Sequence, residues 1–412
     1  MSKEQFIQTL QNELERINKA NTAKRFENII EGFTSEPSPK ALLGGKAYRI
    51  FNSNDYLGLR FSPQVKKAEY EASAKYGAGP GAVRFISGSL KVHHDLERAL
   101  ASFHGREDSI IFSSAFAANL AILFCMIKGQ SADSVVGGNT LVVSDMLNHR
   151  SIIDGIRVAN LPKENRAIFK HLDVDDLKRI LEEKKGAFDR VIVVTDGIFS
   201  MLGVAQDLKK MSAVIDSYQS HFKEGVWLVV DDCHGVGAYG KTGRGVEEVF
   251  GTKADLLVGT LGKGFGADGG YVVADQVVID YLRESAATYI YSNPFSPGTA
   301  GAALASIELM KTSAGEKLLD QLVKNREYFQ DKMNKLGCEF AAESTHPIQP
   351  LLLGNAEKTG RFKQGLFEAG ILVTNINYPV VPRGRDEIRV QISAAHTKED
   401  LDVFADAWQR LM

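Results

Sequence analysis

Six short apolar runs recur through the middle of the chain, each closed by a polar or small residue: SIIFSS, NTLVVSD, RVIVVTD, VWLVVDD, ADLLVGT and GGYVVAD. They are rich in β-branched residues and lack polar alternation, the pattern of strands covered on both faces. Helix-period segments separate them. From about residue 62 to 295 the chain therefore reads as α/β, a large mostly parallel sheet with helices on both faces. Ahead of this region Phe6, Ile7, Leu10, Leu14 and Ile17 recur at helical spacing among charged residues and predict an amphipathic helix. A Pro- and Gly-punctuated stretch, GFTSEPSPKALLGGKAYRIF, follows and ends strand-like. After residue 295 come two long helical segments, TAGAALASIELMKTS and GEKLLDQLVKNREYFQDKMNKL, then short strands near IQPLLLG, ILVTNI and EIRVQIS. The expected organisation is an N-terminal helix and arm (1–55), a large domain (56–295) and a smaller α+β C-terminal domain (296–412).

In open α/β sheets the ligand lies beyond the carboxyl ends of the strands. Ser113, Ser144, Asp145, Asp196, Asp231 and Thr260 all fall at such ends, which points to one site. A carboxylate buried at Asp231 needs a cationic or hydrogen-bonding partner, and a protonated ring nitrogen is one such partner. A helix cap or turn former is the plainer reading of Asp231 alone. His234 follows three residues on. Lys263 stands among small residues in GTLGKGFGADGG, where a ring and a phosphate could approach the backbone. An exposed loop lysine is its plainer reading. An amine that attacks a carbonyl must be neutral, and burial favours that form. Asp, His and Lys in this order, each near a strand end, make a joint site the better reading.

FSSAFAANLAILF runs from strand through a small polar turn into an apolar helix, whose N-terminus suits an anion. Thr260 stands three residues before Lys263 and offers a hydroxyl to the same anion. His149 lies between a strand and a helix, where it either caps the helix or stacks on a flat ring.

Charge removes other classes. Lys plus Arg number 49 against 51 Asp plus Glu, a net −2, so no field for a polyanion arises and neither nucleic acid nor a membrane surface is expected as partner. Three widely spaced cysteines form neither a zinc pattern nor a disulfide framework. No apolar run approaches a membrane span, and the charged N-terminus lacks a signal-peptide core, so a cytoplasmic location is expected. No spacing suggests a metal site, and His93 and His94 are expected on a helix surface. Neither a Walker loop nor a dinucleotide fingerprint occurs.

Together these motifs resemble the α-oxoamine synthases, pyridoxal-phosphate-dependent transferases of fold type I (aspartate aminotransferase-like). The resemblance runs from FNSNDYLGL to VQISAAHT. AVRFISGS, LNHRSIIDGIR, TDGIFSM, GTLGKG, YSNPFSP and NYPVVPRGRDEIRVQISAAHT are most similar to the subgroup of 2-amino-3-ketobutyrate CoA ligases, or glycine C-acetyltransferases. The resemblance implies pyridoxal 5'-phosphate as cofactor and condensation of glycine with acetyl-CoA. Its alternatives are an 8-amino-7-oxononanoate synthase, taking alanine and a pimeloyl donor, or a serine palmitoyltransferase; a threonine aldolase-type lyase is more remote. It further implies that Lys263 forms the Schiff base and moves the α-proton, that Asp231 pairs with the ring nitrogen, and that His149 stacks on the ring. His234 and Ser200 contact the phenolic oxygen, and Ala115, Phe116 and Thr260 hold the phosphate. A homodimer with shared sites is implied, with Ser292 and Asn293 reaching the neighbour's phosphate. Asn54 and Arg389 bind the amino acid's carboxylate; for Arg389 alone a structural salt bridge is the plainer reading. Cys233, Leu202 (in place of a common acidic residue) and Ala115 depart from the family's usual pattern.

Overall fold

The computed structural model describes residues 3–19, 23–35, 38–131 and 133–412. Its central sheet has seven strands in the spatial order Asp108–Phe112, Gly270–Ala274, Leu256–Thr260, Val226–Asp231, Arg190–Asp196, Thr140–Asp145, Arg166–Phe169. Gly270–Ala274 is antiparallel to both neighbours; the other pairings are parallel. All six apolar runs are strands. Successive residues of a strand point to opposite faces. Val191 and Val193 accordingly enter one core with Leu228 and Val230, whereas Ile192 and Val194 enter a second core with Val229 and Val258. Burying each such side chain contributes about 1.5–3 kcal/mol, so both faces of the sheet are closed to water.

The seventh strand, Arg166–Phe169, was not among the six runs. It lies at the sheet edge, where Arg166 and Ile168 are exposed and only Phe169 is buried, so it carries no continuous apolar signal. ILVTNI also differs from one short strand. Ile371–Leu372 pairs in parallel with Lys46–Ile50, while Thr374–Ile376 joins a three-stranded antiparallel sheet with Ile348–Leu352 and Glu387–Gln391. The first piece ties the C-terminal part to the N-terminal arm.

The amphipathic helix forms over Lys3–Lys19, and none of its residues is buried. Pro37, in the punctuated stretch after it, lies outside the described residues, as do Met1, Ser2 and Ala20. His93 corrects the expectation of a surface pair. It is fully buried, with Nε2 3.1 Å from the Phe295 carbonyl oxygen, and only His94 is exposed. Among the described residues no helix is long and apolar enough to cross a membrane, and no cluster of His, Cys, Asp or Glu could hold a metal ion.

Candidate functional site

Register brings the site together. Asp196 and Asp231 are paired neighbours at the ends of adjacent strands, and Val258, two residues before Thr260, pairs with Asp231 from the other side. One cavity beyond these ends is lined by Ala115, Phe116, His149, Ser200, Asp231, His234, Thr260 and Lys263, together with Ser151, Asp196, Ile198 and Cys233. Eight of the twelve residues to which the family resemblance gives a role thus share it, with Asp196 beside them; Ser113, Ser144 and Asp145 do not line it.

Asp231 is held at both oxygens. Oδ2 accepts from Asn119 Nδ2 at 2.6 Å, and Oδ1 accepts from the Cys233 backbone N–H at 3.1 Å. Asn119 also donates to Ser151 Oγ at 2.9 Å. This residue was missed, since its partner lies 112 positions away. Beside it, burial first and the Asp231 charge second push the Asp196 carboxyl well above its usual range. Two carboxyls so close in a dry crevice resist ionising together.

His149 caps its helix and also lines the cavity. Its Nδ1 accepts from the Ser151 backbone N–H at 3.3 Å and lies 2.7 Å from Ser151 Oγ, which caps the helix Arg150–Val158 and leaves Nε2 as the ring's proton carrier. The ring still faces the cavity. Burial lowers its pKa, with Asp231 pulling the other way. Burial likewise holds His234 well below the usual imidazole range, and Lys263 adds to this. Its Nδ1 is hydrogen-bonded to Tyr56 Oη at 2.7 Å, and its carbonyl accepts from His346 Nε2 at 2.8 Å.

The helix Ala115–Lys128 points its N-terminus at the cavity, with Ser114 Oγ accepting from Ala117 N–H at 3.1 Å. Gly270 makes this approach possible: a Cβ there would lie 2.2 Å from the Ala115 nitrogen. Thr260 Oγ1 donates to the Gly269 carbonyl at 3.0 Å and accepts from Gly262 N–H at 3.2 Å. The Lys263 carbonyl accepts from Gly266 N–H at 2.9 Å, but its ε-amine has no hydrogen bond or ion pair among the described residues. An amine without a counter-ion, a buried carboxylate, two neutral imidazoles and a helix N-terminus are the donor set that an aldehyde-bearing pyridine phosphate requires, so the residues present fit that cofactor.

Arg389 and Asn54 do not line this cavity; Arg389 reaches its wall through Ser200. Arg389 donates to the Ser200 carbonyl at 2.9 Å while its Nε has no partner among the described residues. Gln391, two positions on, donates to Asn54 Oδ1. Among the described residues Arg389 forms no salt bridge, the plainer reading of it. Ser292 and Asn293 do not line the cavity of their own chain; Asn293 is exposed and Ser292 half-buried.

Residues 49–407 match the family described as aminotransferase class I and II. The 8-amino-7-oxononanoate synthase of Thermosipho melanesiensis is 38% identical over 372 residues, 90% of each chain. Among solved structures, a serine palmitoyltransferase from S. paucimobilis with a bound PLP–myriocin aldimine is 27% identical, with a TM-score of 0.87 over 100% of this chain and 98% of that one. The 8-amino-7-oxononanoate synthase from Francisella tularensis is 26% identical, with a TM-score of 0.71 over 88% of this chain and 97% of that one. These names do not support the expected subgroup acting on glycine and acetyl-CoA; they favour its alternatives. Sequence, fold and donor set agree on the broader assignment: the chain belongs to the aminotransferase class I and II family and, within it, to the pyridoxal-phosphate-dependent α-oxoamine synthases.

Proposed function

We propose that the chain condenses alanine with a pimeloyl-type acyl thioester, the reaction of an 8-amino-7-oxononanoate synthase. The observation that carries this reading is a second cavity of about 240 Å³ that meets the first at Ser200 and is walled by Leu147, Phe199, Met201, Leu202, Val380 and Val381. A two-carbon acetyl group would leave such a space unused, whereas a longer acyl chain buries apolar surface there at roughly 0.8 kcal/mol per methylene. The relatives' names support the same choice.

The new carbon–carbon bond joins the amino acid's α-carbon to the thioester carbonyl, the thiol leaves, and the α-carboxylate departs as carbon dioxide. Bound cofactor supplies the electron sink for the α-carbon's charge. Lys263 would anchor it through the ε-amine and then take the α-proton. Asp231, fixed by Asn119 and the Cys233 backbone, would keep the ring nitrogen protonated. His149 would cover the ring, and His234 and Ser200 would meet the phenolic oxygen. Ala115, Phe116 and Thr260 would hold the phosphate, joined by Ser292 and Asn293 from a second copy in a homodimer. Arg389 turns its free Nε, with Asn54, to the substrate carboxylate.

The test is thiol release by holoenzyme from acetyl, pimeloyl and palmitoyl thioesters with glycine, alanine or serine. Alanine with the pimeloyl thioester gives the highest kcat/KM. Highest kcat/KM for glycine with the acetyl thioester would restore the first expectation, and cleavage of β-hydroxy amino acids without thiol release would identify a lyase.

A further inference from the structure

Along the strand Glu387–Gln391, alternate residues share one face, so Glu387, Arg389 and Gln391 stand in a row toward the site. Arg389 and Gln391 have hydrogen-bond partners at the Ser200 carbonyl and Asn54. Glu387 has none. It is 0% exposed, yet neither carboxyl oxygen has a hydrogen-bond partner among the described residues. It lines the 240 Å³ cavity beside otherwise mostly apolar walls.

Leaving a buried polar group unsatisfied is costly, and folded proteins keep few such groups. Two positive groups face Glu387, Arg389 on its own strand and Arg385 just before it, and neither is within ion-pairing distance. The strands flanking it place Leu352 and Ile376 opposite, which carry no charge. Burial outweighs the two guanidinium groups and pushes the carboxyl up to about 8. Burial thus favours the protonated acid, which offers one O–H donor and one acceptor at the wall of a mostly apolar cavity.

We propose that Glu387 determines which acyl donor is accepted, by pairing with a hydrogen-bonding group that the donor carries into this cavity. The inference rests on the acyl-transfer reading above and deepens it. The cavity takes a chain that is apolar along most of its length and polar at one point. Two parts of an acyl thioester have that chemistry: an amide of the pantetheine arm, and a terminal carboxyl on the acyl chain. Glu387 acts on specificity, since it touches the donor away from the reacting carbons.

Binding separates these possibilities without turnover. The probes are thioether analogues of pimeloyl-CoA and octanoyl-CoA, titrated calorimetrically into holoenzyme of wild type, Glu387→Leu and Glu387→Gln. Removing one hydrogen bond to an acid weakens binding about tenfold. Glu387→Leu is expected to show that loss, with unchanged affinity for alanine and no fall in Tm, because the leucine removes an unsatisfied polar group. Glu387→Gln, which still donates and accepts, keeps affinity within about threefold. Loss confined to the pimeloyl analogue assigns the contact to the acyl terminus; equal loss on both assigns it to the pantetheine arm. Unchanged affinity for both analogues in Glu387→Leu, a lowered Tm with affinity intact, or a wild type that binds neither analogue overturns the inference. Should wild type bind the analogues yet release no thiol with any amino acid, the proposed function fails while this contact stands.

Discussion

At Asp231 both carboxylate oxygens accept hydrogen bonds from the chain itself, from Asn119 and from the Cys233 backbone. At Glu387, in the adjoining cavity, neither oxygen does. Both are buried acids at strand termini, Asp231 closing one strand and Glu387 opening another. The first belongs to a sheet whose neighbours on either side are strands, so helix and loop side chains converge on its end and fix the group before any ligand arrives. The second belongs to a small three-stranded sheet facing the segment Val380–Arg385, where mostly apolar walls and a more distant Arg385 offer it no hydrogen bond. Groups needed in every turnover are preorganised by the fold, which avoids reorganisation during reaction. Groups that choose a substrate gain discrimination by being left incomplete, because a wrong ligand leaves them unsatisfied.

The sharpest way to break this contrast is Asp231→Asn. The amide keeps the shape and the Asn119 neighbour but not the charge. Turnover is expected to fall by roughly 10²–10³, the cost of deleting one preorganised electrostatic partner, with cofactor still bound and visible in the absorption spectrum. An effect under about threefold would mean that the anchored carboxylate does no chemical task, and the contrast would dissolve.

A smaller effect sharpens the other side. The Glu387 carboxyl is raised in the folded chain to about 8, against an ordinary value near 4.5. Between those pH values the unfolded chain has lost the proton that the folded chain keeps, so stability falls as pH rises through the window. Glu387→Leu lacks this term. Its Tm advantage over wild type should widen from pH 5 to pH 8 and level off above, measured on ligand-free protein by scanning calorimetry. A constant gap would show that Arg385 and Arg389 already neutralise the group.

How far the sequence announced this arrangement depended on whether the signal was local. Strands buried on both faces were legible as unbroken apolar runs, and their ends supplied Asp196, Asp231 and Thr260 at once, whereas Ser113, Ser144 and Asp145, also at strand ends, do not line the cavity. The edge strand Arg166–Phe169 was not, because half of it faces water. Asn119 sits in an apolar helix with nothing nearby to mark it, and only the fold brings it to Asp231. His93 carried a readable signal that was passed over: with Leu96 and Leu100 it falls on the apolar face of its helix. Glu387 carried one too. In EIRVQIS the polar residues at 387, 389 and 391 alternate with apolar ones, the period of a strand with one polar face, yet nothing local could say that Glu387 would be left without a partner. The proposed choice of donor rests on cavity shape, which no motif encodes.

The central claim is that Lys263, free of any ion pair, holds the cofactor in the cavity at the sheet's carboxyl edge. Borohydride reduction of the purified holoenzyme, followed by peptide mass mapping, tests it most directly. The account predicts one reduced pyridoxyl adduct on the peptide containing Lys263, with loss of both adduct and turnover in Lys263→Ala. An adduct on a different lysine, or full activity in that variant, would contradict it.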